Sequence, residues 1–217
     1  MRPATKSKWL IAALLSCGIS TPSFSQTLKD VFSDSESPIV YLGIDFSKAR
    51  LIGNGNPDDI RNHLYGSINE LIVNEPKKFD LKEAFRKSNI NHDFSAVTRN
   101  NSKVDLNEII SANSADFNHF TEADIATMVK ALDLAGKEGI GLLFVMEAMR
   151  KLDKKGEAAI WVTLIDMKTK KVLMTERIES PTSMAIGFRN YWASAIKNLI
   201  DTIHKKKYKE WKSKYNS

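Results

Sequence analysis

The sequence has a single cysteine, Cys17, among its 217 residues. A disulfide needs two cysteines, and thiolate zinc sites use several, so neither can hold this fold together. A cysteine nucleophile is excluded as well, because Cys17 lies in a segment expected to be removed or lipidated. The fold must therefore be stabilised by an apolar core, and a chain of this length can form one as a single domain.

Metal-binding and catalytic motifs are also missing. The four histidines, His63, His92, His119 and His204, do not have the spacing of metal ligands on a helix. No G-x-S-x-G motif occurs, and "GKEGIG" precedes a predicted strand, whereas a phosphate-binding loop precedes a helix. We therefore expect no metal, no cofactor and a non-catalytic role.

No apolar run after the first residues is long enough to cross a bilayer as a helix. Residues 1–25 have the three parts of a secretory signal peptide: basic residues, an apolar stretch and the small residues "SFS" before Gln26. We expect cleavage between Ser25 and Gln26, which predicts an exported protein in the periplasm or outside the cell. The alternative is that "LLSC" is a lipoprotein box and that Cys17 carries a lipid anchor.

A strong excess of charge is absent too. The net charge is +6, and three of the basic residues belong to the predicted leader. Together with the predicted export, this small net positive charge argues against nucleic acid as a partner. The tail interleaves Lys207 and Lys212 with Tyr208 and Trp211 on one helix face. Either this face is an interaction surface for an envelope protein or an anionic membrane, or its rings pack back onto the domain.

Hydrophobic patterns predict the organisation of the rest of the chain. Residues 26–37 are expected to be a flexible lead-in, and residues 38–217 a single domain. "PIVYLGIDFSKARLI" predicts a first strand, "HDFSAVTRNN" a short strand and "GIGLLFVMEAM" a central strand. "AAIWVTLID" and "KVLMTERIES" predict a hairpin whose outer strand could accept another strand. Asparagine, aspartate and threonine caps predict helices between these strands.

The expected fold class is α/β (α+β). The order of elements predicts a single layered domain with a mixed, mostly antiparallel sheet of about five strands and helices packed on it. The apolar spacing from Phe188 to Ile203 predicts a long carboxy-terminal helix.

The stretch "GFRNYW" opens that last helix. Phe188 and Trp192 are four residues apart and are expected in the core. The polar side chains between them are expected near the positive end of the helix dipole, where an anion or a carboxylate can be held. The candidate ligand-binding residues are Arg189, Asn190, Tyr191 and Glu147. An alternative function, a secreted hydrolase, would have its site around Glu147, Arg189 and Asn190.

The carboxy half resembles a known α/β unit. Its order of strand, hairpin and helix is similar to the amino-terminal domain of TolB and to the periplasmic domain of the curli-secretion channel subunit. The matching hairpin residues are Leu164, Ile165, Asp166, Thr169, Val172 and Leu173, with Lys170 where those proteins have glycine. The whole chain also resembles small secreted proteins of uncharacterised function from Bacteroides-type bacteria. These resemblances imply an envelope protein that assembles with others, and they bring no catalytic residues with them. A further alternative, which depends on lipidation of Cys17, is an outer-membrane lipoprotein subunit of an assembly or secretion complex.

Overall fold

A computed structural model of the chain describes residues 27–152 and 155–215. The predicted signal peptide, its cleavage after Ser25 and the alternative lipid anchor at Cys17 all fall outside the described residues. Within the described residues, no helix is both long and apolar enough to span a bilayer.

One sheet of seven strands lies in the middle of the described structure. In chain order the strands are β1 (Ile39–Asp45), β2 (Arg50–Ile52), β3 (Ile90–His92), β4 (Ile110–Ser111), β5 (Ile140–Leu152), β6 (Lys155–Asp166) and β7 (Lys171–Pro181). β1 and β2 follow one another along one edge of β5, and β6 pairs along its other edge. β3 lies outside β1, β4 lies outside β2, and β7 lies outside β6. β5 is therefore the central strand, as its apolar sequence predicts.

The expected mixed, mostly antiparallel sheet is wrong. The path β3–β1–β5–β2–β4 is parallel at every pairing, and the antiparallel pairings are those of β6 with β5 and with β7. β2 continues in the direction of β1, and each later connection up to β5 passes through helical segments. Such crossovers bring the chain back in the same direction. The expected number of about five strands was too low, because the predicted first strand divides into β1 and β2, and β3 and β4 are too short to give a sequence signal.

Helices cover both faces of this sheet. They are α1 (Leu28–Ser33), α2 (Pro57–Asp59), α3 (Tyr65–Asn74), α4 (Leu81–Ala84), α5 (Ser95–Asn101), α6 (Glu122–Ala131), α7 (Phe188–Thr202) and α8 (Tyr208–Tyr215). The buried residues of α1, α3, α4, α7 and α8 share one core cluster with β1, β5 and β6. Those of α5 and α6 share a second cluster on the other face. A π-helical turn, Ile203–Lys207, joins α7 to α8, so the predicted long closing helix continues to Tyr215.

The segment expected to be a flexible lead-in contains a packed helix. Thr27 and Asp30 form a capping box at the start of α1, which supplies two of the otherwise unpaired helix groups with partners. The next turn buries Val31 and Phe32 completely. Phe32 lies against the rings of Tyr208 and Tyr215 in the last helix. The start of the described chain is therefore held by its end.

Caps inside the chain follow the sequence prediction more closely than the short strands do. The Asn56 side chain caps α2, and Thr121 forms a capping box at the start of α6. "HDFSAVTRNN", in contrast, forms α5 after the last residues of β3, and the predicted strand there is wrong. The Asp93 carboxylate accepts a hydrogen bond from the Ser95 N–H at 2.9 Å, which turns the chain out of the strand and into this helix.

Candidate functional site

Glu147 is the only charged residue in the run "GIGLLFVMEAM" of β5, and its side chain is completely buried. The pairing with β6 skips it, because the register shifts between Met146 and Ala148. On the other edge of β5, the gap between β1 and β2 faces the same position. By strand alternation Glu147 faces the same layer as Leu143 and Val145, and its carboxylate contacts Trp161 in the core cluster of α5 and α6.

Four hydrogen bonds fill the acceptor positions of the Glu147 carboxylate. Its Oε1 accepts from the backbone N–H groups of His119 and Phe120, each at 2.6 Å. Its Oε2 accepts from Trp161 Nε1 at 3.1 Å and from Arg177 Nε at 2.6 Å. An ionised carboxylate has about four lone-pair sites, so this one is fully satisfied. Such an arrangement fixes structure and leaves no acceptor for a substrate proton.

Arg177 extends this network to the segment before α6. Its Nη1 donates to Glu179 at 2.7 Å, and its Nη2 donates to the carbonyl oxygen of Phe117 at 2.6 Å. Burial acts to lower the pKa of Arg177, but the hydrogen bonds with Glu179 and Glu147 outweigh it and raise the pKa above its usual value. The guanidinium therefore stays charged and remains a permanent partner for Glu147. The network joins residues 117–120 to three neighbouring strands.

The other three predicted ligand-binding residues lie on the first turn of α7, across the sheet from Glu147. Arg189 is exposed, and its Nε donates to the Asn190 side chain at 3.2 Å. Asn190 donates in turn to the carbonyl oxygen of Ile186 at 3.2 Å. Tyr191 packs at the edge of the first core cluster. The structure therefore does not bring Glu147 together with Arg189 and Asn190, as the alternative hydrolase site would require.

A groove of about 600 Å³ opens beside this first turn of α7. Its walls are the carboxyl ends of β2 and β5, the loop before α7 and the start of α7 itself. Small-molecule sites commonly have volumes of roughly 300–1,000 Å³. Open α/β sheets bind their ligands at the carboxyl ends of parallel strands. The lining residues that matter most are Leu51, Ile52, Phe188 and Trp192, which are apolar, and Lys151 and Tyr191, which are not.

The rim of the groove carries positive charge. Lys151 is exposed, and its Nζ lies 5.4 Å from the centre of the Tyr191 ring. No described carboxylate forms an ion pair with this lysine. Gly187, with φ +82° and ψ 154°, precedes α7 in a backbone region that essentially only glycine adopts. No side chain caps α7, so the positive end of its dipole remains available at the groove.

Tyr191 holds one wall of the groove in place by contact with Gly156. A Cβ atom added at Gly156 would lie 2.8 Å from Cε1 of Tyr191 and 2.9 Å from Oγ1 of Thr182. The glycine therefore allows the ring to pack directly on the hairpin backbone. Of the predicted ligand-binding residues, Tyr191 is the one that lines the groove.

The predicted interaction surface of the tail is mostly used inside the molecule. Trp211 is buried and donates from its Nε1 to Glu176. Lys207 forms ion pairs with Glu176 at 2.6 Å and with Glu210 at 2.9 Å. Tyr208 packs edge-on against Phe32, with the two ring centres 5.6 Å apart. Of the four residues predicted for this surface, only Lys212 is exposed.

The groove itself was missed by sequence reasoning. Trp192 is buried in the core as predicted, and Phe188 packs beside it with ring centres 6.1 Å apart. The same two rings also form the floor of the groove. Helical spacing identifies an inward-facing ring, but it does not show whether neighbouring elements close over that ring. Here β2 ends at Ile52, and the loop before α7 lines the groove through Ala185 and Gly187; neither feature has a sequence signal.

Comparisons with known proteins add little to this description. No protein-family model matches the sequence. The search of curated proteins gave no match either. The 1.65 Å structure of a hypothetical protein from Chlamydia trachomatis is similar to 83% of this chain and is itself covered over 96% of its length, at 13% identity and a TM-score of 0.32. The groove must therefore be interpreted from its own chemistry.

Proposed function

We propose that this chain is a non-catalytic protein of the cell envelope that binds a small amphipathic ligand in the groove beside α7. The ligand would have an apolar body and one anionic group. The observation that carries this proposal is an apolar floor combined with a positively charged rim in one groove. The signal peptide predicted for residues 1–25 supports an exported, periplasmic or extracellular location.

The apolar floor would supply most of the affinity. Burying apolar surface contributes roughly 25 cal/mol for each Å² removed from water. The half-buried side chains of Phe188 and Ile52 offer such surface where they line the groove. A hydrocarbon chain or a ring would match this floor, whereas a sugar or a peptide backbone would lose hydrogen bonds to water there.

The rim would select for a negative charge. Lys151 supplies a cation that no described carboxylate neutralises, and the uncapped start of α7 adds a partial positive charge on the same side. A carboxylate or phosphate group at the rim would contact both while its apolar part lies on the floor. A neutral analogue would keep only the contacts of the floor.

The alternative of a secreted hydrolase receives no support from Glu147. A general acid or base must reach the proton that it transfers. Glu147 already accepts four hydrogen bonds and lies across the sheet from Arg189 and Asn190. Lipid anchoring at Cys17 would change where the protein is held and would leave the groove as described.

Trp192 provides a direct test, because it lies in the floor of the groove. Laurate and dodecanol, which share an apolar chain and differ in charge, are titrated into the chain starting at Gln26, below their micelle or solubility limits. We expect saturable changes in tryptophan fluorescence with both probes and tighter binding of laurate. The Trp192→Phe variant should lose the signal, which would assign it to the groove.

A charge variant completes the test. Lys151→Gln should weaken laurate binding about threefold to fivefold, as expected for one partly exposed ion pair, and should leave dodecanol binding unchanged. Lys209→Gln, an exposed lysine on α8, is the matched control and should have no effect. The proposal fails if neither probe gives a saturable change, or if Lys151→Gln and Lys209→Gln behave alike toward laurate.

A further inference from the structure

Two large hydrophobic side chains are almost fully exposed in the described part of the chain, and both lie in one short loop. Met184 and Ile186 have relative exposures of 103% and 92%. They belong to the segment between β7 and α7 and lie two residues apart, on either side of Ala185, which lines the groove. Single exposed apolar residues are common on proteins, whereas two such side chains close together at the tip of one loop indicate an interaction surface.

The base of this loop is held rigidly. The Ser194 hydroxyl accepts a hydrogen bond from the Ser183 N–H at 2.7 Å and donates to the Tyr191 carbonyl oxygen at 2.6 Å. Asn198 donates to the carbonyl oxygen of Pro181 at 2.8 Å and to the Ser183 hydroxyl at 3.0 Å. The N–H of Thr182 also donates to the carbonyl oxygen of Gly156 at 2.7 Å. The tip therefore protrudes from a fixed platform.

Exposed cations lie on the two elements that flank this loop. Lys151 and Lys155 lie at the end of the β5–β6 hairpin next to the base of the loop, and Arg189 lies on the first turn of α7. All three side chains are exposed, and none forms an ion pair with a described carboxylate. Two described acidic residues of the neighbouring strands, Glu157 and Glu179, are paired with Arg150 and Arg177. This end of the molecule thus presents two apolar side chains and three cations, unpaired among the described residues, on neighbouring elements.

We propose that this end of the protein docks on an anionic lipid bilayer, with Met184 and Ile186 inserted among the lipids and Lys151, Lys155 and Arg189 against the headgroups. Buried apolar area and attraction to anionic lipids are the two contributions that hold interfacial segments on membranes. Cations near a bilayer surface each add to the attraction. A stable complex with a protein would instead bury about 800 Å² of the surface of this chain, far more than two side chains provide. This inference goes beyond the groove ligand and does not depend on it.

Vesicle co-sedimentation tests the proposal with the chain that starts at Gln26. The apolar cores begin at Val31, so this form keeps them complete and lacks the apolar leader, which would bind lipid by itself. The probes are vesicles of phosphatidylcholine alone and of phosphatidylcholine mixed with phosphatidylglycerol. We expect binding to the mixed vesicles that weakens as salt is added.

Two double variants separate the two contributions. Met184→Ser with Ile186→Ser should weaken binding on the order of tenfold or more, because each large side chain contributes through its buried surface. Lys155→Glu with Arg189→Glu should weaken it by a similar factor. The matched control, Lys205→Glu with Lys209→Glu, makes the same charge change on exposed residues at the other end of the closing helix, roughly 24–30 Å away.

Each remaining result would overturn the proposal. Absence of wild-type binding to the phosphatidylglycerol vesicles would mean that the loop serves a protein contact or none. Equal binding by wild type and the Met184/Ile186 variant would show that the loop does not insert. Equal loss in the two charge variants would point to net charge and not to this end of the molecule. Laurate titration of the Met184/Ile186 variant in solution should match wild type, so failure here is distinct from failure of the groove proposal.

Discussion

The carboxylate of Glu147 lies inside the sheet with no exposure to solvent, and the Arg177 guanidinium donates a hydrogen bond to it at 2.6 Å. A buried ion pair of this kind adds little net stability compared with apolar residues of the same shape. Removal of one partner is different, because the other charge is then left in the interior without compensation. The pair therefore makes the fold sensitive to single substitutions at either residue.

Glu147→Gln should lower the free energy of unfolding by about 3 kcal/mol, because it leaves the buried part of the Arg177 guanidinium without its counter-charge. The matched control is Glu179→Gln, which removes the other carboxylate on the same guanidinium. Its side chain is 51% exposed, so we expect a loss below about 1 kcal/mol. Urea unfolding at neutral pH measures both. Similar losses in the two variants would contradict the view that burial of Glu147 determines the effect.

The sequence identified Glu147 but not its partners. Glu147 was predicted as a carboxylate that the start of the last helix could hold, whereas the structure pairs it with Arg177. The turn at Asp166 would place Trp161 opposite Glu176 if the hairpin were regular, because Asp166 pairs with Lys171. A bulge between Leu164 and Ile165 shifts the register by one residue and brings Arg177 there instead. A one-residue shift exchanges the faces of a strand, and its position has no clear sequence signal.

At the scale of elements, α1 shows how a segment of polar composition becomes part of the core. Only its Val31 and Phe32 are buried, but Phe32 is surrounded by three aromatic rings of the last helix, those of Tyr208, Trp211 and Tyr215. Lys87 also reaches the helix and donates from its Nζ to the Val31 carbonyl oxygen at 2.5 Å. These contacts join the two ends of the described chain.

Phe32→Ala should therefore destabilise the protein by about 3–4 kcal/mol, the usual loss for removing a buried phenylalanine side chain. Lys29→Ala, on the exposed side of the same short helix, should change stability by less than about 0.5 kcal/mol. Urea unfolding provides the comparison, and hydrogen exchange at Val31 and Phe32 should show protection in the wild type. If Phe32→Ala left the free energy of unfolding unchanged and the wild type showed no such protection, residues 26–37 would be a flexible lead-in after all.

Elements with strong local signals were predictable, and their arrangement was not. The hairpin turn follows from Asp166, whose carboxylate accepts from the N–H groups of Lys168 and Thr169. Lys170, which replaces the glycine of the resembling proteins, adopts φ +55° in the same turn. The parallel order depends instead on how β1 and β2 pair with β5 and on the short strands β3 and β4, and these pairings are fixed by tertiary contacts and not by hydrophobic periodicity.

At the scale of the whole molecule, the two cores belong to one sheet. Leu142 and Phe144 of β5 face the cluster of α1, α3 and α7, whereas Leu143 and Val145 face the cluster of α5 and α6. Since alternate residues of one strand enter opposite layers, neither layer can lose its packing without disturbing the strand that supports the other. The described chain should therefore unfold as one cooperative unit, groove included.

Two single-tryptophan forms of the chain starting at Gln26 can test this cooperativity. Trp161 reports on the layer of α5 and α6, and Trp211 reports on the opposite layer, where α8 meets α1. One variant combines Trp192→Phe with Trp211→Phe, and the other combines Trp161→Phe with Trp192→Phe. In each variant the urea midpoint from fluorescence should coincide with the midpoint from far-UV circular dichroism, whatever the stability of that variant. A Trp211 signal lost at lower urea than the circular dichroism would mean that α8 and α1 separate first. The closing helix would then be a detachable layer, and the groove at its other end could open without global unfolding.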